Sequence, residues 1–109
     1  MQPFDEAEMY SGAAALMWAA YDEHGWDHAY YKNVVAKNGG TALDIGCGTG
    51  RLLRSYLRAG LDVEGVDISQ DMLDQCRRLA EADGLNPTLY CQPMQALDLP
   101  KRYETIYIP

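Results

Sequence analysis

The sequence predicts an α/β fold with a mainly parallel sheet, and two observations carry that prediction. From Thr41 onward, short apolar runs alternate with stretches of helical periodicity, the pattern of parallel strands joined by helical crossovers. The first run opens directly into a loop holding Gly46, Gly48 and Gly50, and a helical stretch follows that loop.

Bulk properties bound what such a fold can do. At 109 residues the chain is one domain at most, long enough to bury roughly two-thirds of its unfolded surface. Sixteen acidic against nine basic residues leave a net charge of −7, which repels nucleic acid and anionic lipid. Arg51, Arg54 and Arg58 recur at helical spacing and read as a solvated face. No apolar run approaches ~18 residues and the N-terminus is acidic, so the expectation is a cytoplasmic protein with no membrane partner. Cys47, Cys76 and Cys91 are odd in number and irregularly spaced, which reads as reduced, buried thiols. His24 and His28 stand four apart. With Gly25 between them and no HExxH or nearby Cys, they read as loop or surface histidines, and no metal is assigned.

The elements follow in order. Asp5 to Ala20 is expected as a helix on its alanine-rich run, and Asp27 to Ala36 as a second, short one. Gly39-Gly40 breaks the chain before a strand from Thr41 to Ile45. A helix follows from Gly50 to Ala59, with Leu52, Leu53, Tyr56 and Leu57 on one face. Leu61 to Val66 reads as the second strand, ending at Asp67. Ser69 is then a helix N-cap, Asp71 sits in the first turn, and Met72, Leu73, Cys76, Leu79 and Ala80 form an apolar stripe. Asn86-Pro87 turns the chain into a strand from Thr88 to Cys91, and Glu104 to Ile108 is the fourth strand. Thr105 to Ile108 reads as a buried central strand, yet the sequence stops at Pro109. The sheet is therefore expected to be truncated after this strand, which would leave an open apolar edge for self-association.

The glycine loop carries the chemistry. An open parallel sheet binds its ligand outside the carboxyl ends of its strands. Glycine there permits a sharp turn and lets a ligand approach the backbone, and the next helix N-terminus offers amide donors. Asp67, 17 residues beyond Gly50, is placed to accept hydrogen bonds from the two hydroxyls of a ribose. A dinucleotide-binding GxGxxG loop is the less favoured reading, because the residue three beyond Gly48 is Arg51 rather than glycine. A glycine turn with no ligand leaves unexplained the acid before the loop and the Asp after the next strand.

Leu43-Asp44-Ile45-Gly46-Cys47-Gly48-Thr49-Gly50 resembles motif I of the class I S-adenosylmethionine (SAM)-dependent methyltransferases, and Val63-Glu64-Gly65-Val66-Asp67-Ile68-Ser69 resembles their second motif. Asp71-Met72-Leu73, Leu97-Asp98-Leu99-Pro100 and Tyr103-Glu104-Thr105-Ile106 continue the similarity, which runs from about Thr41 to Ile108. The resemblance implies a Rossmann-like core over residues 41–109 behind an N-terminal helical cap over residues 1–40. It implies that Asp44 faces the methionine moiety and that Gly46, Cys47 and Gly48 line the cofactor through their backbone, in the loop closed by Gly50. Asp67 would hold the ribose, and Ile68 and Met72 would pack on the adenine. Many relatives carry a Gly-Asp pair after the third strand. Here Gln92-Pro93 stands there, so the adenine contact falls to Met94, Gln95 or backbone. Tyr21-Asp22 is similar to a lid pair that covers SAM in many small-molecule methyltransferases. Of the early aromatics, Tyr10, Trp18, Tyr21, Trp26, Tyr30 and Tyr31 either pack helices onto the sheet or, for Tyr21 above all, face the sulfonium.

The implied function is a SAM-dependent methyltransferase acting on a small molecule, represented by its cofactor-binding portion. The alternative is a SAM-binding or structural fragment without turnover. Acceptor sites in the family lie mostly beyond the fourth strand, so no catalytic residue is assigned and the isolated chain is expected to be inactive.

Overall fold

In the computed structural model, which describes residues 26–109, strand β1 (Ala42–Ile45) lies inside the sheet with all four residues buried. Its neighbours are β2 (Val63–Asp67) on one side and β4 (Thr105–Tyr107) on the other, with β3 (Leu89–Cys91) beyond β2. All three pairings are parallel, with Asp44 opposite Gly65 on one side and Tyr107 on the other. The order β3-β2-β1-β4 reverses direction at β1, which makes the carboxyl end of β1 the topological switch point where open sheets bind ligands.

The helices are α1 (Trp26–Asn38), α2 (Arg51–Arg58) and α3 (Gln70–Ala82). One sheet face carries Ala42, Val63 and Tyr107, and against it pack Val35 of α1, Leu52, Leu53 and Tyr56 of α2, and Cys76 of α3. Each fully buried leucine contributes about 2 kcal/mol by leaving water. The opposite face, Leu43, Ile45 and Val66, is covered by Tyr90, Leu97, Leu99 and Tyr103 from β3 and the segment after it. Among the described residues, then, all three helices share one face and an irregular segment covers the other. No helix among them is long and apolar enough to cross a membrane.

The expected elements are present, with boundaries shifted by one or two residues. Ser69 caps α3 by accepting a hydrogen bond from the Met72 amide at 3.3 Å. Tyr31 of α1 stacks on Tyr107 with ring centroids 5.1 Å apart, so this early aromatic packs a helix onto the sheet. The helix expected from Asp5 to Ala20, with Tyr10, Trp18, Tyr21 and His24, lies outside the described residues.

The fourth strand lies at the sheet edge, as expected of a sheet truncated there, with Thr105 and Tyr107 buried against the helices and Ile106 57% exposed on the other face. Three local expectations need correction. Cys91 is exposed because β3 is also an edge strand, and its thiol donates to the Ile68 carbonyl at 3.4 Å. Met72 leaves the apolar stripe: at about 100° per residue it is offset from the buried Leu73, Cys76 and Ala80 and is 47% exposed. The arginines of α2 do not form a purely solvated face either. Arg51 pairs with Asp27 at 2.9 Å, Arg54 donates to the Thr49 carbonyl at 3.1 Å, and Arg58 pairs with Asp83 at 2.6 Å.

Gly50 is a residue on which the helix face depends sterically. It caps α2 at φ 83°, and a Cβ there would run into the Cys76 thiol of α3. Gly84 has a similar φ of 74° but open space around it. Gly50→Ala is therefore expected to lower the thermal midpoint well beyond Gly84→Ala, whose cost is backbone strain alone, roughly 1–3 kcal/mol. Equal midpoints in a thermal melt of the two variants would remove the steric argument.

Candidate functional site

At the carboxyl ends of the strands lies a cleft of about 330 Å³. Ile45 and Gly46 line it from the end of β1, Val66, Asp67 and Ile68 from the end of β2, and Ile108 from just past β4. Gln92, Met94 and Gln95 close it from the segment after β3, where Met94–Ala96 forms a 3₁₀ turn.

The glycine loop is pinned from both sides. The Gly46 and Cys47 amides donate to the Val66 carbonyl at 2.8 and 3.1 Å, extending the β1–β2 ladder into the loop. The Gly48 amide donates to Asp67 Oδ2 at 2.9 Å, and the Ser69 amide donates to Asp67 Oδ1 at 2.9 Å. One carboxylate thus ties the loop after β1 to the cap of α3. Gly46 and Gly48 hold φ of 73° and 58°, and a Cβ at either would meet nothing within 4 Å among the described residues. These glycines answer a backbone demand and leave the loop surface bare, which suits a ligand lying against it.

Asp44 is placed differently. It is 1% exposed and lies beneath the loop rather than in the cleft wall. Its Oδ2 accepts the Tyr107 hydroxyl at 3.0 Å, and its Oδ1 is buried with no hydrogen-bond partner among the described residues. Burial raises its pKa to about 7 against the lowering influence of the Tyr107 hydroxyl and the Arg51 charge, and the nearby Asp67 charge adds to the rise. The same burial pushes the Cys47 thiol and the Tyr107 phenol up. Cys47 turns its thiol into the core, to within 2.8 Å of where a Cβ on Gly65 would sit.

Of the expected site residues, Gly46, Asp67, Ile68, Met94 and Gln95 meet in the cleft, with Gly48 beside it on Asp67. Asp44, Cys47 and Gly50 serve beneath or behind the loop, Met72 is exposed outside the cleft lining, and Tyr21 lies outside the described residues. Ile45, Val66, Gln92 and Ile108 were not anticipated. The first two, as strand-end residues of a parallel sheet, could have been found from topology; Gln92 and Ile108 depend on how the chain closes over the sheet.

Residues 42–109 match the methyltransferase domain family, and the chain belongs to that family, in its class I, SAM-dependent form. It is 34% identical over 68 residues to the ubiquinone biosynthesis O-methyltransferase of Coxiella burnetii, covering 62% of this chain and 29% of that protein. Among solved structures, the SAM-dependent methyltransferase of Clostridium acetobutylicum is 28% identical, with a TM-score of 0.67 over 94% of this chain and 41% of its own. The glycopeptide N-methyltransferase MtfA, solved with SAM, is 31% identical with a TM-score of 0.63, over 75% of this chain and 38% of its own. The chain thus spans less than half the length of each of these relatives.

The pKa of Asp44 has a consequence for stability. From about pH 4 to pH 7 the folded chain keeps a proton on Asp44 that the unfolded chain, with its carboxyl near 3.8, has released. The fold therefore loses stability as pH rises through that window, and the loss is constant above it. Asp44→Asn carries no charge to bury, so its thermal midpoint is expected to stay flat across the window and to exceed that of the parent chain at pH 8. Over this range the difference is on the order of 4 kcal/mol. Parallel melting curves from pH 4 to pH 8 would contradict the assignment.

Proposed function

We propose that the cleft binds SAM and that the chain is the cofactor-holding part of a methyltransferase acting on a small molecule. The observation that carries this is the Asp67 carboxylate, held at the cleft by the Gly48 and Ser69 amides beside the bare Gly46 and Gly48 backbone. Each carboxylate oxygen accepts one amide and keeps acceptor capacity for the hydroxyls of a ribose. Ile68, Met94 and Ile108, 70%, 56% and 58% exposed, supply apolar side chains for the base. SAM, when bound, supplies a methyl group activated by a positively charged sulfur.

This chain's part is binding, orientation and exclusion of water, which is how a site brings a donor and an acceptor to attack distance. The buried Asp44 beneath the loop favours a cation nearby whenever it is ionised, which suits the ammonium of the methionine moiety. The ubiquinone and glycopeptide relatives act, by their names, on small molecules, which supports a small-molecule acceptor here. We also propose self-association at β4, a sheet edge among the described residues that carries Ile106 more than half exposed.

Calorimetric titration tests the first claim. SAM and S-adenosylhomocysteine are expected to bind the chain, and Asp67→Ala to weaken both by about a hundredfold through the lost charge-assisted hydrogen bonds. Unchanged affinity in the variant would misplace the ribose. Sedimentation tests the second: the parent chain is expected to associate with rising concentration and Ile106→Lys to remain monomeric, whereas a monomeric parent would refute the edge.

A further inference from the structure

The cleft wall after β3 is a short turn with little of its own to hold it in place. Met94–Ala96 is a single 3₁₀ turn, closed by the Ala96 amide donating to the Pro93 carbonyl at 3.1 Å. All three of its residues are exposed, and hydrogen-bond geometry in such turns is poor. Leu97 anchors the far end of the turn by packing on Leu43, Ile45 and Val66. Gln92 supplies the near anchor. Its backbone amide donates to the Asp67 carbonyl at 3.1 Å, which fixes Gln92 on the end of β2. Its side chain then reaches across the turn, where Nε2 donates to the Asp98 carbonyl at 2.9 Å and Oε1 accepts the Asp98 amide at 2.8 Å. Bonding both the N–H and the C=O of one residue is what an antiparallel strand does at a hydrogen-bonded pair. A neutral primary amide can stand in for that strand because it carries an acceptor and a donor side by side. The clasp encloses residues 93–97, and with them Met94 and Gln95 of the cleft wall.

We propose that Gln92 is a positioning residue of the cleft: its side-chain clasp on Asp98 holds the turn as a preformed wall and thereby sets the affinity for the ligand. This rests on the assignment of the cleft to SAM. With the clasp shut, the turn is ordered before the ligand arrives. With it open, binding has to order Met94 and Gln95 as well, and that cost is taken from the affinity. A carboxyl at position 92 tells the two states apart. Ionised, it still accepts the Asp98 amide but sets oxygen against the Asp98 carbonyl, so the clasp opens. Protonated, it has an O–H for that carbonyl and the clasp re-forms. The ionisable groups around position 92 are the Asp98 and Asp67 carboxyls and the neighbouring Cys91 thiol. Both carboxylates favour the protonated form of a carboxyl placed between them, so the clasp re-forms at a higher pH than for an isolated glutamate.

The test titrates the whole chain with S-adenosylhomocysteine in a calorimeter, between about pH 8 and about pH 4.5, a range that spans the titration of a glutamate. Each variant is read as a ratio to the parent at the same pH, which removes the titration of Asp44 common to both. In the alkaline buffer Gln92→Glu and Gln92→Leu are each expected to bind about tenfold more weakly than the parent. In acid Gln92→Glu is expected to return to within about threefold of the parent, because the clasp re-forms, while Gln92→Leu stays weak. Parent-like binding by Gln92→Leu would overturn the proposal, since a loss confined to Gln92→Glu would be charge repulsion alone. A loss in Gln92→Glu that persists in acid would overturn it too. So would a variant that fails to fold, because the clasp would then serve the fold as a whole rather than the wall. Failure of the ligand to bind the folded parent chain would overturn the assignment of the cleft itself.

Discussion

The cleft depends on one carboxylate shared between two loops. Asp67 ends β2, and its two oxygens accept the Gly48 amide from the loop after β1 and the Ser69 amide at the cap of α3. Hydrogen bonds to an ionised acceptor are about twice as strong as neutral ones. Here two of them fix the relative height of the two segments that wall the cleft. Gly46 and Cys47 reach the same strand through the Val66 carbonyl. The glycine loop is thus an extension of the β1–β2 pairing, held open by φ values that only glycine adopts without strain. A ligand that uses Asp67 meets an acceptor already oriented, so little ordering is left for binding to impose.

Beneath that surface the sheet carries two buried acids, one on each face, and each is met by a tyrosine from the last segment. The Tyr107 hydroxyl reaches Asp44 on the helix face, and the Tyr103 hydroxyl reaches Glu64 on the other at 2.8 Å, where Lys101 also pairs at 2.8 Å. These contacts give the segment from Lys101 to Tyr107 a polar register on β1 and β2 in addition to its strand pairing. Their energetics differ. Glu64 has a cation and a hydroxyl, whereas Asp44 keeps one buried oxygen without a partner among the described residues. An unsatisfied buried oxygen works against stability, and such local costs are characteristic of sites shaped for a ligand.

Much of this was legible in the residues themselves. Alternation of apolar runs with helical periodicity located every described strand and helix, because each element's signal is local: Leu52, Leu53 and Tyr56 at helical spacing, Ser69 as a cap, glycine at the loop. The placement of the loop and Asp67 at the cleft was also legible, since it follows from strand-end position. What escaped was set by contacts between distant elements. The edge position of Thr105–Tyr107 was expected, but its one-sided burial, with Thr105 and Tyr107 covered and Ile106 exposed, depends on which elements pack against each face. The clasp of Gln92 on Asp98 and the meeting of Asp44 with Tyr107 join residues six and sixty-three positions apart, and no spacing rule announces either. The arginines of α2 misled for the same reason, as their partners Asp27 and Asp83 come from other elements.

These relations underlie the proposal that Asp67, oriented by the loop amides, receives the hydroxyls of a ribose. Comparing S-adenosylhomocysteine with its 2′-deoxy counterpart on the unaltered chain tests it without disturbing the loop that Asp67 holds. Loss of one charge-assisted hydrogen bond is expected to weaken the deoxy ligand at least about tenfold. Equal affinity for the two ligands would contradict the claim, because the carboxylate would then be a fastener between two loops and no part of the ligand's grip.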